Sequence, residues 1–251
     1  SQRRLLNSFG IGENDIRVLF FPVNQNDFSY SSALRNEMRQ KMGADDEMFV
    51  VTYAGRVSLQ KNVDMLIKML NHEAANIKKK IVLWIAGSFD DQGAHFAGIH
   101  THEGYLYTKV SQAVNASKNI EIKFLGHQKK AEIRRLMCAA DAYMSFSLYH
   151  DEDFGMSPAE ALACGTPSLL TDWGGYSSFV SKENAWCCDL LDVDLNQYGH
   201  SLSRQSLRKF LNQQIEANPS DQERQKNSEA FLKTFSIETC LERIRECLFD
   251  E

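Results

Sequence analysis

Short apolar runs alternate with longer amphipathic stretches along most of this chain. FVVTYAG (49–55), IVLWIAG (81–87), IEIKFLG (120–126), AYMSFS (142–147) and PSLLT (167–171) read as strands, three of them closing on glycine. Between them, residues 61–71 carry helical apolar spacing at Val63, Leu66, Ile67 and Leu70. Residues 103–117 and 130–140 predict further helices, and SPAEALAC (157–164) a short one. A helix over about 30–42 closes at Gly43, a preferred helix-ending residue. IRVLFF (16–21) before Pro22 predicts a strand running into a turn. SQRRLLNSFGIG at the start reads as an amphipathic helix cut from something longer, and residues beyond about 200 as helices broken at Asn218-Pro219.

Near-continuous apolar strands alternating with helices imply an α/β fold, a Rossmann-like parallel sheet flanked by helices, with a helical C-terminal tail. The expected division is a connecting segment over 1–48, the sheet domain over 49–190 and a helical extension over 191–251. Ligands bind such sheets at the carboxyl ends of the strands. Those ends are Gly55-Arg56, Gly87, Gly126-His127 and the loop 148–156.

Composition narrows the class. The chain has 251 residues, 43% hydrophobic and 24% charged, enough for a buried core. A net charge of −5 argues against a nucleic-acid surface. No apolar run reaches membrane-spanning length, and no signal peptide is visible. The six cysteines form no CxxC pair, and we read them as reduced thiols of a cytosolic protein.

Candidate chemistry collects in EDFGMSPAEALACGTP (152–167), where Glu152 and Glu160 flank a glycine turn at a helix start. Ser157, Pro158 and Glu160 fit a capping box, which alone would explain Glu160. It does not explain Glu152, Phe154 or Gly155. A glycine before a helix lets backbone N–H groups approach a ligand closely, and the dipole there favours an anion. A carboxylate beside an anion site suits a ligand that is phosphate at one atom and hydroxyl-rich at the next, such as a sugar on a phosphate. Arg56 and Lys61, after the first long strand, add two cations suited to a diphosphate.

Weaker signals have plain readings. The triplets Asp151-Glu152-Asp153 and Asp192-Val193-Asp194 match an acidic metal motif, but such triplets do not establish converging ligands. His95, His100 and His102 read as a polar surface loop. Trp173 reads as packing where a strand leaves the sheet, and Lys129-Lys130 as a solvated helix start.

GRVSLQKN (55–62), AG (86–87), FLGHQKKAEIRRLMCAADAYMSFS (124–147) and EDFGMSPAEALACGTP (152–167), in this order, resemble the donor-binding half of the family 4 glycosyltransferases. The resemblance covers roughly residues 16–180. It implies the GT-B fold, two Rossmann-like domains facing a cleft, and retaining transfer from a UDP- or GDP-sugar without a metal or other cofactor. It implies that Arg56 and Lys61 hold the donor diphosphate and stabilise it as it leaves. Gly55 would shape that turn. Backbone N–H groups at Gly155, Met156 and Ser157, next to Phe154, would meet phosphate or sugar oxygens. Glu152 would bind donor-sugar hydroxyls near the reacting carbon, Glu160 the ribose hydroxyls, and Gly126, His127 and Gln128 would border the base.

The donor motifs begin by Gly55, and GIGENDIRVLFFPVNQNDF looks like the family's lead-in to its second domain. The resemblance therefore implies a larger parent. Its preceding acceptor domain, of about 150–200 residues, would take a glycan or lipid-linked acceptor and could touch a membrane. This chain would bind donor without transferring sugar. Two other readings compete. One is a GT-B relative with phosphorylase or epimerase chemistry. The other is a non-catalytic interaction module built on a degenerate donor domain.

Overall fold

The computed structural model describes residues 6–90, 104–148, 152–181, 185–196 and 199–249. Its centre is a six-stranded parallel sheet made of β1 (Met48–Ala54), β2 (Lys80–Ala86), β3 (Ile120–Gly126), β4 (Ala142–Ser145), β5 (Ser168–Thr171) and β6 (Cys188–Leu191). The strand order is β3-β2-β1-β4-β5-β6, and every adjacent pair is parallel. The chain moves outward from β1 to β2 and β3, then returns to lay β4 on the other side of β1. That reversal opens a crevice at the carboxyl ends of β1 and β4.

The apolar runs are continuous because both sheet faces are covered. On one face Phe49, Val51 and Tyr53 of β1 and Met144 of β4 pack under α2 (Val63–Ala74), α3 (Tyr105–Ala116) and α6 (Arg204–Ala217). On the other, Val50, Ala54, Trp84 and Tyr143 pack under α4 (Lys130–Ala139), α5 (Met156–Ala163) and α7 (Asp221–Phe235). Successive strand residues alternate between the two cores, so the central strands are mostly apolar on both faces. A small antiparallel hairpin, β7 (Val193–Asn196) with β8 (Gly199–Leu202), precedes α6. The last helix, α8 (Ile237–Phe249), buries only Cys240. None of the described helices is long and apolar enough to cross a membrane. All six cysteines are free thiols.

The helix predicted over 30–42 is α1 (Ser32–Met42), closed by Gly43 in the left-handed conformation at φ 68°. The tail breaks at Asn218 as expected, also left-handed, and again at Ser236. Three expectations change. Residues 16–21 form no strand. Pro22 offers no N–H for a ladder, no sheet edge lies alongside, and Val18, Leu19 and Phe21 are exposed. Only Val23 bridges, to Ser236. Lys61 ends a 3-10 turn, Leu59–Lys61, and the following helix starts at Val63. Strands β6, β7 and β8 occupy a stretch to which the sequence assigned no strand. Of the proposed opening helix, residues 1–5 lie outside the described residues, and 6–8 are helical.

At the amino-terminal edge of the sheet, Asp141 gathers charge. Its carboxylate accepts from the Val50 N–H at 2.8 Å, Arg35 at 2.7 Å, Arg39 at 3.1 Å and Arg224 at 3.3 Å. The arginines also donate to the carbonyls of Ala139 and Ala140 that end α4. This edge ties α1, α4, α7 and the sheet together.

Candidate active site

The carboxyl edge holds the chemistry. A cavity of about 260 Å³ is lined by Ala54, Gly55, Arg56, Ala86, Gly87, Ser88, His127, Gln128, Ile133, Ser157 and Glu160. The turns after β1, β2 and β3 thus meet the first turn of α5. Six residues singled out in the sequence line this one space: Gly55, Arg56, His127, Gln128, Ser157 and Glu160.

The SPAE pattern does not cap its helix. Helix α5 starts one residue earlier than expected, at Met156, with Gly155 as its N-cap and no side-chain cap bond. Gly155 sits at φ 94°, which only glycine adopts without strain. The Ser157 hydroxyl instead donates to the Ala54 carbonyl at 2.6 Å and accepts from the Tyr143 hydroxyl at 3.1 Å. That pair of bonds anchors the start of α5 to the end of β1, just before the Gly55 turn. The first N–H groups of α5 are left without a cap of their own.

Glu160 is therefore not a helix cap. Its side chain is half-buried in the cavity and has no hydrogen-bond partner among the described residues. Burial, reinforced by Asp27 and partly offset by Lys130, pushes its carboxyl up to about 7. An unpaired carboxylate that far up, facing a cavity it shares with Arg56, His127 and Gln128, is an acceptor waiting for donors.

The two cations are each held by a carboxylate. Arg56 pairs with Asp90, which follows β2, and its guanidinium stays largely exposed. Lys61 pairs with Glu152, which is buried with 8% of its surface exposed. The Lys61–Glu152 pair spans the crevice where the strand order reverses. The Lys61 turn is stitched to the end of β4: the Gln60 carbonyl accepts from the Ser147 hydroxyl at 3.2 Å, and Asn62 donates to the Phe146 carbonyl at 3.2 Å.

Other predicted positions serve by packing. The Phe154 ring is buried against Phe179 at 4.9 Å and Phe21 at 5.7 Å. Met156 is exposed on the first turn of α5. Gly126 takes φ 64° and turns β3 toward His127. The Gln128 amide donates to the Leu125 carbonyl, which fixes its side chain. Lys130 reaches Asp27 at 3.0 Å, and Trp173 stacks edge-on to His200 at 5.0 Å. Asp192 accepts from the Ser206 hydroxyl at 2.6 Å, at the hairpin. His95, His100, His102 and Asp151 lie outside the described residues.

Sequence reasoning missed Ser88, Ile133 and Asp90. Ser88 and Asp90 extend the strand-ending AG, a signal that was available. Ile133 belongs to the apolar face of α4 and gave none. Also missed was a set of buried tyrosines beneath the site. Burial pushes the hydroxyls of Tyr53, Tyr143 and Tyr176 up, so all three remain protonated donors.

Comparison with known proteins bears on the family and the fold. The family described as Glycosyl transferases group 1 matches residues 35–194. An uncharacterized glycosyltransferase of Methanocaldococcus jannaschii is 25% identical over 70% of this chain and 41% of its own length. The D-inositol 3-phosphate glycosyltransferase of Xylanimonas cellulosilytica is 30% identical over 58% of this chain and 31% of its own. The chain spans less than half the length of these curated relatives. Among solved structures, the Anabaena protein HepE in complex with UDP and glucose superposes with a TM-score of 0.71 at 21% identity. The match covers 98% of this chain and 60% of that one, and it shows the Rossmann-like fold of one half of a GT-B protein.

Proposed function

This chain belongs to the group 1 glycosyl transferases, and from that premise we propose that it is the donor side of a retaining, metal-independent transfer from a nucleoside diphosphate sugar. The single observation that carries the reading is Glu160, an unpartnered half-buried carboxylate in a cavity shared with Arg56.

A nucleotide sugar suits each group in turn. Ribose offers two neighbouring hydroxyls to the two oxygens of Glu160. The base takes the space beside His127, Gln128, Ser88 and Ile133. The diphosphate replaces Asp90 and Glu152 as partner of Arg56 and Lys61, and one of its oxygens meets the uncapped N–H groups of α5. Once Lys61 turns to phosphate, Glu152 is free to accept hydroxyls of the sugar. That exchange gives Lys61 a phosphate and Glu152 new donors as their mutual pair opens. It also leaves no buried carboxylate without a donor.

Transfer runs through an oxocarbenium-like transition state while negative charge builds on the departing diphosphate. Arg56 and Lys61 are fixed cations at that charge, in the place a divalent ion would otherwise take. The acceptor, a glycan or lipid-linked glycan, would be carried by other parts of a longer protein.

The test is thermal unfolding of this chain with UDP, GDP, ADP and inorganic phosphate, each with and without EDTA. A matching ligand at a hundred times its dissociation constant adds roughly 2.7 kcal/mol. We expect one nucleoside diphosphate to stabilise and EDTA to change nothing. Stabilisation that EDTA abolishes overturns metal independence. Stabilisation by phosphate alone favours phosphorylase-type chemistry, and none at all favours a binding module that has lost its donor.

A further inference from the structure

Glu152 is held from behind by a turn that no site motif includes. After β5 the chain makes a tight reversal through Trp173, Gly174, Gly175 and Tyr176. The Gly175 N–H donates to the Glu152 carbonyl at 2.6 Å. The approach is close enough that a Cβ at Gly175 would collide with the Asp153 carbonyl, and one at Gly174 with the Glu152 carbonyl. Only glycine fits against both peptide groups. Next in sequence, the Tyr176 ring lies on Gly155, leaving no room for a side chain there. The Tyr176 hydroxyl is hydrogen-bonded to Ser145 Oγ at 2.9 Å, at the end of β4, with both residues buried.

The opposite half of the ion pair is pinned with equal care. Lys61 rides on a turn bonded to Phe146 and Ser147, the residues that continue β4. Both members of the Lys61–Glu152 pair are therefore referenced to the same strand end, one through Asn62 and Gln60, the other through Gly175 and Tyr176. An ion pair at the surface needs no such bracing. A carboxylate that must meet a sugar within a fraction of an ångström does.

We propose that Gly175 and Tyr176 are positioning residues for the sugar end of this site, Gly175 setting Glu152 through its main chain and the Tyr176 hydroxyl tying that turn to the end of β4. The inference rests on the donor reading above and divides the site in two. The base and ribose end stands on β1, β2, β3 and Glu160. The sugar end stands on the turn after β5.

Calorimetric titration of UDP and of UDP-glucose into wild-type chain, Gly175→Ala and Tyr176→Phe separates the two ends. We expect UDP affinity within about twofold of wild type in both variants, and UDP-glucose weakened about tenfold in Gly175→Ala and about threefold in Tyr176→Phe. Tyr176→Phe keeps the ring and the core, so it remains informative if Gly175→Ala fails to fold. Equal weakening of both ligands, or of neither, overturns the inference. If wild-type chain binds neither ligand and neither GDP nor ADP stabilises it, the donor reading falls by itself. Hydrogen exchange then decides the positioning role: in Gly175→Ala, amides of 152–156 should exchange at least about tenfold faster while β1 and β2 stay protected. Unchanged exchange at 152–156 overturns it.

Discussion

The two edges of the sheet carry similar side chains and use them in opposite ways. At the amino-terminal edge, Arg35, Arg39 and Arg224 surround Asp141. At the carboxyl edge, Arg56 and Lys61 face Asp90 and Glu152, with Glu160 alone nearby. The first set is closed. Arg224 is 1% exposed, and its surplus positive charge is answered by carbonyls at the end of α4 as well as by Asp141. Burial and the neighbouring Arg35 bring Arg224 down to about 10, so it remains a cation at neutral pH. The second set is open: its arginine is largely exposed, and its last carboxylate has no partner among the described residues. Charge that is fully answered from within holds a fold together. Charge left partly unanswered around a cavity is available to a ligand.

The sharpest way to break this comparison is to remove one carboxylate from each edge. Asp141→Ala strands three arginines and the Val50 N–H, and should cost about 3–5 kcal/mol in urea unfolding. Glu160→Ala should leave stability unchanged to within about 0.5 kcal/mol or raise it, because its burial is unpaid by any bond. Acid sharpens the contrast. Burial alone would raise the Asp141 carboxyl, but Arg35, Arg39 and Arg224 outweigh it and hold it below 3.8. Its stabilisation is therefore complete above that ordinary value and fades as pH falls through the lowered one. A larger loss from Glu160→Ala than from Asp141→Ala would erase the distinction between the edges.

The next effect falls on binding alone. On the donor reading Arg56→Ala removes a charge-assisted partner of the diphosphate, and it should weaken UDP by about 2 kcal/mol, roughly thirtyfold. Its unfolding midpoint should stay that of wild type, since the Arg56–Asp90 pair is at the surface. Titration calorimetry beside urea unfolding checks both halves. A variant that unfolds more readily yet binds UDP normally would make Arg56 a structural residue.

The open edge was the more legible of the two. Arg56, Lys61, Glu152 and Glu160 follow strand ends or flank a glycine turn, and a parallel sheet sends strand ends to one place. The closed edge was not visible, because Arg35 and Arg39 of α1, Asp141 before β4 and Arg224 of α7 come from three stretches far apart in sequence. Strands β1 and β2 were plain, being buried on both faces and apolar at all but one position each. Residues 16–21 have the same texture without a neighbouring strand, and texture alone cannot report a neighbour. Strand β6, with Asp189 among four residues, and the polar hairpin β7–β8 offered no apolar run. The capping box failed for a similar reason. Ser157 could have capped its own helix, but the Ala54 carbonyl, distant in sequence, claimed its hydroxyl.

A smaller effect reads the unpaired carboxylate directly. With its carboxyl near 7, Glu160 is mostly protonated at pH 6 and mostly ionised at pH 8. If Glu160 holds the ribose as proposed, only its ionised form accepts from both hydroxyls, so UDP affinity should climb up to about tenfold across that range. Glu160→Gln keeps the titration of the phosphate itself but should remove this rise. Stability should move the other way. A carboxyl raised in the folded state makes the fold bind more protons than the unfolded chain between 4.5 and about 7, so wild type loses stability relative to Glu160→Gln as pH climbs through that window. Parallel pH profiles for wild type and Glu160→Gln would leave the carboxylate without a role in either.

The smallest effect is also the most specific, because it separates what an ion pair does for the fold from what its members do for the site. Lys130 and Asp27 form an exposed bridge at 3.0 Å, and their charges act on Glu160 in opposite senses. Breaking the bridge from either side should change stability by no more than about 0.5 kcal/mol. The pH midpoint of UDP binding should nonetheless move in both directions. Lys130→Met removes the cation that holds the Glu160 carboxyl down, so the midpoint should rise. Asp27→Asn removes the anion that pushes it up, so the midpoint should fall. Shifts of the same sign would mean that both substitutions act through a disturbed surface turn, and that the charge on Glu160 is set by burial alone.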